Sequence, residues 1–233
     1  MEKNLKAVLF DLDDTLFDRN WAQGMVLELI VKQLPHIFNV FEMESVIEAF
    51  IESDRLTTED FEAGAPSEGL RGARSRQFLR LLGIQEDYAN TITEIYVRDY
   101  PTVNAPMPGA IPLVKELSKR FQVGVVSNGM PDVQYRKLET MGLRDVFSCI
   151  VLSEEIGIRK PDPRIFYHAT QFLHMQPREC LYVGDSYTND IVGAKNAGML
   201  ACWLNREPST PENEDVPTDF VISKLEELAK ILR

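Results

Sequence analysis

From about residue 109 onward, short apolar runs alternate with stretches of helical periodicity, and this alternation limits the fold more than any other feature of the chain. The runs are Phe121–Ser127, Phe147–Leu152, Cys180–Val183, Leu200–Leu204 and, weakly, Phe220–Ile222, with Ala7–Phe10 as an isolated earlier member. Between them, Ala110–Lys119 sets Ile111, Leu113, Val114 and Leu117 on one helical side, and Pro131–Met141 does so with Val133, Leu138 and Met141. Asp162-Pro163 reads as an N-cap with proline at the first helical position, and Gly198 reads as the stop of the helix that follows Asn189. Strand and helix in alternation predict an α/β fold, a Rossmann-like, doubly wound parallel sheet with helices on both faces. In such sheets functional groups collect beyond the carboxyl ends of the strands.

Residues 17–105 break the rhythm. They hold no convincing strand but four amphipathic stretches, Trp21–Leu34, Glu42–Ser53, Gly69–Leu82 and Asp87–Arg98. The reading is an inserted all-helical cap domain, 17–105, within an α/β core made of 1–16 and 106–233, its exit marked by Pro101, Pro106 and Pro108. A helical insertion directly after the first strand is placed to act as a lid. With 233 residues the chain is long enough for a core and a smaller partner.

The 25 Lys and Arg against 36 Asp and Glu give a net charge of −11, with no basic run to offset it. That balance argues against a nucleic acid polymer or an anionic membrane as partner. An anionic substrate would need a local cation. Cys149, Cys180 and Cys202 are odd in number, widely spaced and set in apolar stretches, which reads as buried free thiols in a reducing, cytoplasmic setting. Residues 1–6 are of mixed charge rather than signal-like, and no run approaches the ~20 apolar residues of a membrane span. A Pro/Glu/Asn-rich loop covers Glu207 to Pro217.

Chemistry concentrates at the strand ends. Asp11-Leu12-Asp13-Asp14-Thr15-Leu16 follows Ala7–Phe10 directly, and side-chain alternation predicts that Asp11 and Asp13 point the same way. Carboxylates gathered at the end of a buried strand must be solvated, paired or bound to a cation. The later strand ends carry Ser127-Asn128-Gly129, then Arg159-Lys160-Pro161, then Gly184-Asp185 with Asn189-Asp190. Carboxylates from two strands suit Mg²⁺, which keeps water in its remaining positions. The Ser127 hydroxyl with nearby backbone N–H groups, and the Lys160 ammonium, suit phosphoryl oxygens.

These four motifs, in this order, resemble the haloacid dehalogenase superfamily of aspartate-nucleophile hydrolases, and the helical insertion resembles that family's cap. The resemblance implies Asp11 as nucleophile, Asp13 as general acid/base, Ser127 as phosphate-binding hydroxyl beside Asn128 and Gly129, and Lys160 as the charge-neutralising, substrate-binding cation. It implies a Mg²⁺ site of Asp11, Asp185, the outer acidic residue Asp190 and the backbone carbonyl of Asp13. Contact with substrate and a closed cap are expected to raise the pKa of Asp13. Halide leaves without a proton whereas an alkoxide needs one, so the second acid favours phosphate ester hydrolysis over carbon–halogen cleavage.

The implied enzyme is a Mg²⁺-dependent phosphomonoesterase that takes a small phosphorylated metabolite through an aspartyl-phosphate. Gly142–Gly157 and Gly198–Asn205, with its Cys202-Trp203-Leu204-Asn205, are similar to the pyrimidine 5′-nucleotidase branch, so a nucleoside 5′-monophosphate is the first substrate class. Sugar phosphates and small organic acid phosphates, of the phosphoglycolate or N-acylneuraminate-9-phosphate type, are the alternative. A 2-haloacid dehalogenase and a non-catalytic phosphate-binding protein rank below them. Arg71, Arg74 and Arg76 in the cap are placed to meet an anionic or polar leaving group, but a solvated helix face is the preferred reading, and His36, His168 and His174 read as structural or exposed.

Overall fold

The computed structural model describes residues 5–62, 69–207 and 216–232. Its elements run β1 (Ala7–Phe10), α1 (Arg19–Gln33), α2 (Pro35–Phe38), α3 (Met43–Glu62), α4 (Leu70–Leu81), α5 (Ala89–Asp99), α6 (Ala110–Leu117), β2 (Gln122–Ser127) and α7 (Pro131–Thr140). Then come β3 (Cys149–Leu152), α8 (Ser153–Ile156), α9 (Pro163–Phe172), β4 (Cys180–Gly184), a π-helical turn (Tyr187–Val192) leading into α10 (Gly193–Asn196), β5 (Leu200–Leu204), β6 (Phe220–Ile222) and α11 (Leu228–Ile231). Of the Pro/Glu/Asn-rich loop, residues 208–215 lie outside the described residues.

The six strands form one sheet in the order β3-β2-β1-β4-β5-β6, every pair parallel. This is the doubly wound α/β fold expected. The chain builds outward from β1 to β2 and β3, then returns to the other side of β1 for β4, so the topological switch lies beside β1. Ala7, Val8, Leu9 and Phe10 have no exposed surface, which is why this strand is apolar at every position instead of alternating. One side of the sheet packs Leu9, Val126 and Tyr182 against Ile165, Phe166 and Ala169 of α9, and Ile191 and Ala194 join the same cluster. The cap of α9 is the one read from sequence: the Asp162 carboxylate accepts from the Arg164 N–H at 2.9 Å, with Pro163 opening the helix. All three cysteines are buried free thiols, and burial pushes Cys202 up to about 12.

The chain divides into two compact units, Met1–Arg19 with Asn104–Arg233, and Asn20–Val103. Residues 17 and 18 stay with the sheet because Phe17, fully buried, bridges to Asp13 and Pro106, and the Asp18 N–H donates to the Ala105 carbonyl at 2.8 Å. The second unit is helical, with Phe38 stacked on Phe78 (5.7 Å between ring centroids) and Phe50 edge-on to Phe78 at 5.5 Å. Arg74 departs from the solvated face read from sequence. Its guanidinium lies 3.5 Å from the Tyr96 ring centroid and 3.3 Å from Asp54, so the ring and the carboxylate make its burial tolerable. Arg76 does face water, 3.9 Å from Glu86. Among the described residues no helix is long and apolar enough to cross a membrane.

Candidate active site

Asp11 is placed by continuing the sheet one residue past β1: its N–H donates to the Val183 carbonyl at 2.9 Å. Its side chain is buried and accepts from the Lys160 ammonium at 2.6 Å. The same nitrogen donates to Asp190 at 2.7 Å and to the Tyr182 hydroxyl at 3.1 Å, which fills its three donor positions. The loop that carries Lys160 is held from β2. Asn128 Oδ1 accepts from the Lys160 N–H at 2.8 Å, and Asn128 Nδ2 donates to the Lys160 carbonyl at 3.0 Å. Both polar groups of the Asn128 side chain are thus engaged with the lysine backbone, so that side chain positions Lys160.

Asp190 sits on the π-helical turn with no exposed surface and accepts from the Ser186 N–H at 2.9 Å. Gly184 is required here, because a Cβ at that position would overlap the Asp190 carboxyl group. Asp185 accepts from the Thr15 hydroxyl at 3.0 Å, while its carbonyl accepts from the Trp203 indole at 2.8 Å. Carboxylate oxygens of Asp11, Asp185 and Asp190 lie within 4.8 Å of one another.

Three clustered carboxylates against one ammonium leave a buried excess of negative charge. Burial, reinforced by Asp190 and Asp14, pushes Asp185 up to about 6. Burial also drives Asp11 well above the ordinary carboxylate range, Lys160 opposing and Asp190 and Asp185 adding to the effect. An all-oxygen donor set with unbalanced charge fits a small hard divalent cation. Asp11, Asp185 and Asp190 are the side chains that would hold it.

Asp13 belongs to a different set of contacts. The strand ends at Phe10, the next residues close a turn in which the Leu16 and Phe17 N–H groups both donate to the Leu12 carbonyl, and Asp14 adopts φ 56°. The alternation that predicted a common direction for Asp11 and Asp13 therefore stops before it reaches Asp13. Its carboxylate turns to α7, where Lys137 Nζ reaches Oδ1 at 2.5 Å and Gln134 Nε2 donates to Oδ2 at 2.7 Å. Gln134 Nε2 also donates to Ser127 Oγ at 2.9 Å. Burial raises the Asp13 carboxyl, but Lys137, Arg19 and these hydrogen bonds outweigh it and hold the group below its ordinary value. The raised value expected from sequence is for the substrate-bound, closed state; without substrate, Lys137 is the largest influence that holds the group low.

The sequence reading missed Gln134, Lys137, Tyr182 and Thr15. A signal existed for the first two. Positions 134, 137, 138 and 141 share one helical face, and all four are buried, so a lysine and a glutamine on the face of Leu138 and Met141 needed polar partners inside the protein. Gly129 has its own cause, since a Cβ there would overlap the Gln134 amide.

The haloacid dehalogenase-like hydrolase family model matches residues 5–198. The pyrimidine 5′-nucleotidase YjjG of Escherichia coli is 30% identical over 97% of this chain and 96% of its own length. A glyceraldehyde 3-phosphate phosphatase of Methanopyrus kandleri is 32% identical over 98% of this chain and 97% of its own. Among solved structures, the magnesium-bound putative HAD-hydrolase YfnB of Bacillus subtilis superposes with a TM-score of 0.86 at 27% identity, covering 99% of this chain and all of that one.

Proposed function

The chain belongs to the haloacid dehalogenase-like hydrolases, and from that premise we propose that it is a Mg²⁺-dependent phosphomonoesterase with Asp11 as nucleophile and Asp13 as proton carrier. The observation that carries the reading is the Lys160 ammonium seated between Asp11 and Asp190, with an Asp185 oxygen in the same cluster. In the first step one Asp11 oxygen attacks phosphorus in line, the O–P bond forms, the bond to the leaving oxygen breaks, and Asp13 gives that oxygen a proton. In the second, Asp13 takes a proton from the water that attacks the aspartyl-phosphate, which restores Asp11 and releases phosphate. Lys160 holds the nucleophile and offsets its charge, while the Ser127 hydroxyl binds a phosphoryl oxygen beside the Asn128 and Gly129 backbone. A divalent cation on Asp11, Asp185 and Asp190, joined by the Asp13 carbonyl, would supply further neutralisation of phosphoryl charge.

Asp13 must be protonated for the first step. A bound phosphate dianion is the group that would raise its pKa against Lys137. Residues 20–103 are assigned the role of the family's cap, choosing the leaving group. Buried thiols support a reducing, cytoplasmic setting.

For the substrate, the relationship to YjjG supports a nucleoside 5′-monophosphate, and the glyceraldehyde 3-phosphate phosphatase supports a small sugar or organic acid phosphate as the second reading. The test is a phosphate-release panel of nucleotides, sugar phosphates and phosphoglycolate, with and without EDTA. We expect release that needs Mg²⁺ and vanishes in Asp11→Asn. Release that persists in Asp11→Asn, or no release from any phosphomonoester, overturns the proposal.

A further inference from the structure

We propose that Gln134 and Lys137 are positioning residues that hold the Asp13 carboxylate in register with the Ser127 hydroxyl; the inference rests on the acid/base role assigned to Asp13. The two side chains lie three residues apart on α7 and are among the few buried polar groups of the sheet unit, Gln134 at 1% and Lys137 at 2% exposure. A helix next to a core gains most from apolar residues at such positions, and a buried ammonium is costly unless paired. Here the compensation is specific: Asp13 Oδ1 at 2.5 Å, and the face of Phe17, whose centroid lies 4.6 Å from the ammonium.

Gln134 joins the two halves of the site. One amide N–H group donates to Asp13 Oδ2 at 2.7 Å and the other to Ser127 Oγ at 2.9 Å. The amide cannot be reversed, because its oxygen would then face a carboxylate. In the observed orientation Gln134 Oε1 is buried and accepts from no protein group. Gly129 clears the space for it. With a lone pair of Ser127 Oγ occupied by Gln134, the single hydroxyl proton is directed away from Gln134 and available to a phosphoryl oxygen. Proton transfer tolerates little misplacement, since ~1 Å can cost ~100-fold.

In the rate of leaving-group release, only the leaving group that needs a proton should notice the loss of this clamp. The experiment is a single-turnover measurement of leaving-group release from an alkyl phosphate and from p-nitrophenyl phosphate, whose leaving group needs little protonation. In Lys137→Met we expect alkyl release to fall ~100-fold and nitrophenol release by less than ~3-fold, with KM for the alkyl ester unchanged. Lys137→Arg should restore alkyl release to within ~10-fold of the parent. Gln134→Met, which keeps the volume and removes the donors, should slow alkyl release similarly and in addition raise KM for both esters, because Ser127 loses its orientation.

Equal losses on both esters, or no loss on either, overturn the positioning role. If Lys137→Met does not fold, the Gln134→Met profile decides alone by the same criteria. Asp13→Asn is the control: parent-like alkyl release in that variant removes the acid/base reading itself, and is distinguishable from failure of the clamp.

Discussion

Replacing Lys160 by methionine tests the electrostatics of the site most directly. The Lys160 side chain is 3% exposed, and its removal leaves Asp11 and Asp190, themselves buried, without the cation that lies 2.6 and 2.7 Å from them. Breaking a buried pair by deleting one partner costs about 3–5 kcal/mol, because the remaining charge has lost its compensation. For a chain of this size each kcal/mol lowers Tm by ~2–4 °C, so the sheet unit should melt ~6–20 °C earlier at pH 7.5. The sign of the pH dependence follows from the shifts. Burial lowers the Lys160 ammonium, but Asp11 and Asp190 outweigh it and raise it above the ordinary lysine value, so its contribution is fully present at pH 7.5 and is lost only as pH rises through that raised value. In the variant, Asp11 keeps a carboxyl raised by burial and by its acidic neighbours and now without Lys160 to oppose them. The folded state then takes up protons that the unfolded chain does not, and the deficit relative to the parent shrinks between pH 7.5 and 5. The assay is chemical denaturation followed by fluorescence in a Trp21→Phe background, where buried Trp203 alone reports on the sheet unit. A variant within ~0.5 kcal/mol of the parent at pH 7.5, or a deficit that is the same at pH 5, refutes the reasoning.

Asp185, held at about 6 by burial and by Asp190 and Asp14, makes protons and divalent cations competitors. Without cation, stability should rise as pH falls from 7 toward 5, because the folded state binds a proton that an unfolded aspartate, near ~3.9, does not; saturating Mg²⁺ should flatten that slope, and titration calorimetry should find Mg²⁺ affinity falling by up to ~10-fold per pH unit below about 6. A Mg²⁺ affinity independent of pH between 5 and 7 would contradict this. Gly184→Ala forces a Cβ against Asp190, so it should cost ~1–3 kcal/mol in chemical denaturation and weaken the Mg²⁺-induced thermal shift, while a neutral effect on both would show that Asp190 moves freely.

The strands were legible because a sheet buried on both faces writes itself as uninterrupted apolar runs, and all six runs became strands. Asp11, Lys160, Asp185 and Asp190 were legible as a group because each follows a strand of a parallel sheet, whose carboxyl ends lie on one edge. The partners of Asp13 were not legible: period-two counting assumes that the strand continues, the turn at Leu12–Phe17 ends it, and the groups that hold the carboxylate, Gln134 and Lys137, come from α7. Lys137 and Arg74 were hidden for a shared reason. Local periodicity assigns charged residues to solvent, whereas Lys137 is buried and Arg74 largely covered, each against a carboxylate and an aromatic ring supplied by other parts of the chain, the carboxylate lying 124 residues away for Lys137 and 20 for Arg74.

The position of β1 has a consequence for how the molecule fails. Local opening begins at the periphery of a sheet, where a strand has one neighbour, and reaches the middle last. Here the rims are β3 and β6, and the residue held by the Val183 carbonyl extends the strand flanked on both sides. Under mild heating or denaturant the rims therefore exchange their amide hydrogens first, and Asp11 keeps its address until the sheet as a whole gives way. Durability is graded outward from β1, so the backbone of Asp11 is among the last to lose its place.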